Sequence, residues 1–277
     1  MSSFLYRLNA FLRFWLRART VYQTHSPLAF EWAQAVLEDE RHYYAFEDIE
    51  VLRQRMRASP LILDVEDYGH VGEQERPERR RVPLRQLAER SSSSALQGRW
   101  LFRAAQQLRP QRVLELGAGV GVGTAYLAAG MGPQARMISL EGCATCAQVA
   151  EAHLDMLHLS ERVSIRSGPF TQTLTQALQD SGVLDLVFFD GHHRGEATLA
   201  YFEQCLPFAH DKTVFVLDDV YWSPDMTEAW QRIQTHPRVT LSIDCFELVF
   251  VFFDSALREK QHLLLAPTRW KPWRRWV

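Results

Sequence analysis

From residue 98 onward, short apolar runs alternate with segments of helix length, and that rhythm admits few folds. The runs fall at 112–116, 136–140, 163–166, 184–189 and 213–217, with helical stretches between them at 122–129, 144–158, 171–180 and 195–208. Strands that are apolar throughout are buried on both faces, and parallel neighbours need a crossover long enough to hold a helix. The pattern predicts an α/β fold with a doubly wound parallel sheet. After a helix at 224–235 the rhythm breaks. Strands at 239–243 and 248–253 are joined by a link too short for a crossover, so they must form a terminal antiparallel hairpin. The expectation is a Rossmann-like, seven-stranded sheet.

Residues 1–97 read differently, as an N-terminal helical extension preceding a domain at 98–277. Helices are expected at 4–17, 28–38 and 47–57, and the charged stretch 66–82 reads as an exposed loop. The extension lies just before the first strand of the domain, where a lid over a substrate cleft would arise. Of the 277 residues, 47% are apolar and 23% charged, which excludes whole-chain disorder. The formal net charge of -2 gives no field for a dedicated nucleic-acid partner, and none is expected. The 4 cysteines make no disulfide scaffold and fit a reducing compartment. Arg7 and Arg13 interrupt the first apolar segment and no cleavage site follows it, so a cytoplasmic location is expected. Both ends mix aromatics with arginine: Phe11, Phe14 and Trp15, then Trp270, Trp273, Arg274, Arg275 and Trp276. Such segments pack against the domain or a second subunit, making a homodimer the expectation, or they lie on an anionic membrane surface.

The strongest local signal is Glu115-Leu116-Gly117-Ala118-Gly119-Val120-Gly121, a strand running straight into glycines and then a helix. Glycine permits a sharp turn and close approach of a ligand at the carboxyl edge, where open α/β sheets bind ligands. The dinucleotide spacing is absent, because the sixth position is Val122 counted from Gly117 and Thr124 counted from Gly119. No Gly-Lys-Ser/Thr follows, so this is not a P-loop. Glu141 ends the second strand about 20 residues on, placed to accept hydrogen bonds from both ribose hydroxyls. An adenosine-containing ligand is the expectation.

This combination resembles the class I S-adenosylmethionine-dependent methyltransferases over residues 98–254. The resemblance implies S-adenosylmethionine as cofactor, with Glu115, Gly117 and Gly119 near its methionine part and Glu141 on its ribose. Ala118, Gly121, Gly142 and Asp190 complete the implied cofactor shell, and Gly168, Pro169 and Phe170 would lie near the adenine. Phe170 either stacks on the base or belongs to the core.

Asp190 follows the fourth strand and Asp218-Asp219 end the fifth, so three carboxylates meet at one sheet edge. Unpaired, they would repel; protonation, a basic partner or a cation must compensate. These segments resemble the catechol-type O-methyltransferases and related Asp-Gly-x-His methyltransferases. That likeness implies a divalent metal, Mg or Ca, at Asp190, Asp218 and Asp219, although the catechol pattern has Asn where Asp219 stands. His193 matches the pattern's histidine: either it removes the acceptor's hydroxyl proton, or it caps the next helix. His25-Ser26-Pro27 and 222–226 also resemble a less studied bacterial branch that brings no substrate with it. Cys143 and Cys146 lack a second metal-spaced pair and read as small residues opening a helix. The expected activity is O-methylation of a small-molecule acceptor, with Asp190 and His193 catalytic. Its rivals are aminopropyl transfer and a non-catalytic cofactor-binding protein.

Overall fold

The computed structural model describes residues 3–68, 77–90 and 93–271. The chain divides into two compact units, 1–40 with 193–277, and 41–192. The N-terminal helices α1 (Ser3–Arg17) and α2 (Pro27–Val36) belong to the first unit.

The unit 41–192 begins with α3 (Tyr44–Ala58) and a hairpin of β1 (Ile62–Asp67) and β2 (Glu78–Pro83). The stretch expected as a loop at 66–82 is therefore strand at both ends, while 69–76 lie outside the described residues. Its charges are cross-strand partners: Arg79 faces Glu66 in register and bonds it at 2.8 Å, and Arg81 faces Asp64. Opposite charges across a ladder stabilise pairing on this face of the hairpin. Then come α4 (Leu84–Arg90) and α5 (Ala95–Leu108), the latter opened by a Ser94–Gln97 capping box and ended by Arg109 in the left-handed conformation before Pro110. The Ser94 cap fixes the start of α5 at Ala95.

From there β3 (Arg112–Leu116), α6 (Val122–Gly130), β4 (Arg136–Glu141), α7 (Ala144–Met156), β5 (Val163–Ser167), α8 (Phe170–Ser181) and β6 (Leu184–Phe189) follow the expected order. β3 pairs in parallel with both β4 and β6, and β4 with β5. Val113, Leu114, Leu116, Leu140, Leu186, Val187 and Phe188 are buried, which is why these strands read as unbroken apolar runs. Helices α5 and α6 approach closely through small residues: a side chain at Gly130 would stand 2.3 Å from the Phe102 carbonyl oxygen.

The other unit continues with α9 (Gly195–Cys205), β7 (Ala209–Asp218), α10 (Pro224–Thr235), β8 (Leu241–Asp244), β9 (Leu248–Phe252) and β10 (Gln261–Leu264). β9 is antiparallel to both β7 and β8, so the expected hairpin is present, and β10 adds an unforeseen parallel strand beside β8. The α1 rings Phe11 and Phe14 pack on Phe246 at 5.0 and 5.5 Å, and Trp32 of α2 meets Phe250 and Phe252 edge-on. The amino-terminal helices thus share a core with the carboxy-terminal strands. Residues Trp273, Arg274, Arg275 and Trp276 lie outside the described residues.

Candidate active site

At the end of β3 the chain turns on Gly117, whose φ of +106° is closed to most side chains. A side chain there would also stand 2.4 Å from the Asp190 carbonyl oxygen, so the exits of β3 and β6 touch backbone to backbone. The Asp190 N–H donates to the Leu116 carbonyl at 2.9 Å, and Gly117 and Ala118 both donate to that of Leu140. Gly119 and Gly121 also have positive φ, and Gly121 is the N-cap of α6.

Glu141 closes the loop from the neighbouring strand. Its carboxylate accepts the Gly119 N–H at 2.7 Å and the Cys143 N–H at 2.8 Å. Burial raises its pKa to about 7 against the pull of those two donors. A carboxylate offers roughly four acceptor positions, so two remain for a ligand's hydroxyls. Gly142 lies beneath the Tyr68 ring, 2.9 Å from where a side chain would start. The Gly168 N–H donates to the Glu141 carbonyl at 2.9 Å, and Pro169 is the N-cap of α8. Phe170 is buried, its ring against Gly191 and 6.3 Å from that of His192.

Glu115 does not line the loop surface. It is fully buried inside the sheet, where Thr124 Oγ1 donates to its Oε2 at 2.6 Å and Ser139 Oγ donates to the same oxygen. Its Oε1 has no partner among the described residues, and burial raises the pKa to about 7. One carboxyl oxygen therefore lacks a donor, on a carboxyl poised near protonation. The Ser93 hydroxyl is buried close by, 2.8 Å from where a Gly123 side chain would begin.

The end of β7 is organised by a residue outside any motif. Asp218 is buried and its Oδ1 accepts the Asp219 N–H at 2.8 Å. Asp219, at φ +51°, directs its carboxylate to the Arg7 guanidinium at 3.3 Å. Arg7 also pairs with Glu247 at 3.1 Å and lies over the rings of Trp222 and Phe246, at 5.9 and 6.0 Å. Burial, with Asp219 adding to it, raises the Glu247 pKa, and Arg7 opposes the rise. The His193 ring is 6.2 Å from that of Trp222. Among the described residues no group of three or more His, Cys, Asp or Glu side chains is placed to hold a metal ion. Of the expected metal set, the Asp219 carboxylate is paired with a guanidinium, which does not fit a ligand of a divalent cation.

Several contributors carried no sequence signal: Arg7, Glu247, Tyr68, Ser93 and the backbone N–H of Cys143. Cys143 has the expected place opening a helix. Its sulfur caps α7 by accepting the Cys146 N–H at 3.4 Å, and its pKa falls to about 6, chiefly through a hydrogen bond from the Cys146 side chain.

A glycine turn thus lies between parallel strands and is clasped by a carboxylate from the next strand. The family model described as "Methyltransferase domain" matches residues 114–220. A catechol O-methyltransferase of Mycobacterium tuberculosis (strain ATCC 25618 / H37Rv) is 36% identical over 131 residues, 47% of this chain and 58% of that relative. A catechol O-methyltransferase of Niastella koreensis is 31% identical over 130 residues, with the same 47% and 58% covered. The chain thus spans little more than half the length of these curated relatives. Among solved structures, an O-methyltransferase from Bacillus cereus in complex with SAH (S-adenosylhomocysteine) shares the fold. Its TM-score is 0.53 at 19% identity, over 81% of this chain and 97% of that one. Among the described residues no helix is long and apolar enough to cross a membrane.

Proposed function

We propose that this chain transfers the methyl group of S-adenosylmethionine to an oxygen of a small molecule. The observation that carries the reading is Glu141, a carboxylate held at the glycine turn by two backbone N–H groups with acceptor positions to spare. Those positions suit the two hydroxyls of a ribose. The cofactor supplies an electrophilic methyl carbon on a positively charged sulfur. The protein's part is to hold the acceptor oxygen in line with that carbon, which removes much of the entropic barrier. His193 accepts the hydroxyl proton as the oxygen attacks, a task suited to an imidazole near neutral pH. Asp190, at the exit of β6 against the glycine turn, orients the reacting groups.

Catechols are the first acceptors to try, given what the relatives are named for. With radiolabelled methyl donor, label is expected in an O-methylated product. Asp190→Ala is expected to abolish transfer beyond any loss of cofactor affinity, and His193→Ala to lower kcat more than it raises KM. Label transferred as an aminopropyl group, or unchanged turnover in Asp190→Ala, would overturn the assignment.

A further inference from the structure

The acidic side chains at the end of β7 need a compensating charge, and the structure shows where it comes from. In register, Asp218 faces Leu248, which brings Glu247 to the same strand end and makes an acidic cluster of Asp218, Asp219 and Glu247. We propose that Arg7 is the resident counter-cation of this cluster, so that this edge of the protein holds its carboxylates without a divalent ion.

Three observations support the assignment. The guanidinium bridges Asp219 and Glu247 at 3.3 and 3.1 Å, so one positive charge is shared between the two carboxylates. It is held by packing: Trp222 and Phe246 lie beneath it, Tyr6 on the preceding residue donates its hydroxyl to Thr227 Oγ1 at 2.8 Å, and Phe11 and Phe14 anchor the same helix on Phe246. Asp219 adopts an uncommon left-handed conformation, its N–H directed to Asp218 Oδ1 and its carboxylate to Arg7. An ion coordinated by Asp219 at about 2.0–2.6 Å would sit beside a permanently charged guanidinium. Like-charge repulsion and lost coordination space exclude it together. Because arginine stays protonated throughout the working range of pH, the compensation is permanent, unlike that of a histidine.

The inference does not rest on the activity proposed above and is tested by ion binding alone. Metal-free full-length protein is titrated with Mn²⁺ while the free-ion signal is followed by electron paramagnetic resonance. Wild type is expected to leave the signal unchanged. Arg7→Ala is expected to bind one equivalent, roughly tenfold or more tighter than wild type, and Arg7→Ala/Asp219→Asn to lose that site. Arg7→Gln, which keeps the length of the side chain and removes its charge, gives the same reading if the alanine variant does not fold. Wild-type binding that Asp219→Asn removes, or an Arg7 variant that binds no better than wild type, would overturn the proposal. Titrating SAH into the same samples separates the two claims, since absence of SAH binding defeats the activity assignment and leaves the Mn²⁺ result standing.

Discussion

The glycine turn after β3 and the strand end after β7 both gather carboxylates, and they settle them in opposite ways. At the glycine turn the partners are dipoles: backbone N–H groups for Glu141 and hydroxyls for Glu115. Dipoles do not offset the desolvation, and both pKa values rise to about 7. At β7 the partner is a full cation, Arg7. A carboxylate satisfied by dipoles keeps acceptor capacity for a ligand's neutral hydroxyls. One satisfied by a guanidinium has no room for a second cation. The first arrangement suits binding, and the second suits a fixed wall.

The sharpest way to break this contrast is at the turn itself. Gly117→Ala meets both a forbidden φ and the Asp190 carbonyl, so a loss of about 3 kcal/mol or more is expected in urea unfolding. A loss below about 1 kcal/mol would mean the turn is not backbone-tight. The next largest effect concerns pH. Glu115 and Glu141 have folded pKa values raised from 4.5 to about 7, so the folded state keeps protons that the unfolded state releases. Their contribution to stability is therefore present at low pH and lost as pH rises from 4.5 through about 7, by on the order of 1 kcal/mol per pH unit for each group at its steepest. Thermal melts across that window should show the decline, and Glu115→Gln should flatten it. A decline unchanged in that variant would place the protons elsewhere.

Removing the cation tests the other side. Arg7→Ala should cost about 1 kcal/mol, since its partners are partly exposed and the ion pairs are screened. A neutral effect in low salt would deny Arg7 its role. The smallest effect is expected at the helix cap. Cys143→Ala should cost about 0.5–1 kcal/mol while Cys143→Ser, which keeps an acceptor, costs less.

Much of the fold was legible because buried parallel strands announce themselves as apolar runs, and the strands at Arg112–Leu116 and Leu184–Phe189 have the expected bounds. The β1–β2 hairpin was not, since strands held by Arg79–Glu66 and Arg81–Asp64 pairing read as a solvated charge run. β10 was missed because it is four residues long and only partly buried, too little for a period to show. In the site, Gly117, Gly119 and Glu141 were readable because their spacing is local and follows from one turn. Arg7 was not, because its partner Glu247 is 240 residues away and only the packing of α1 on Phe246 brings them together. The reading of Asp218 and Asp219 as metal ligands started from a need for positive charge, and at Asp219 the structure places the Arg7 guanidinium.

The central claim is that the Glu141 carboxylate and the glycine turn hold the sugar of a sulfur-bearing adenosine. Calorimetric titration of SAH into wild type and Glu141→Ala tests it most directly. The account predicts saturable one-to-one binding by wild type and a loss of about a hundredfold in the variant, the worth of two charge-assisted hydrogen bonds. No heat with wild type, or equal affinity in the two proteins, would contradict it.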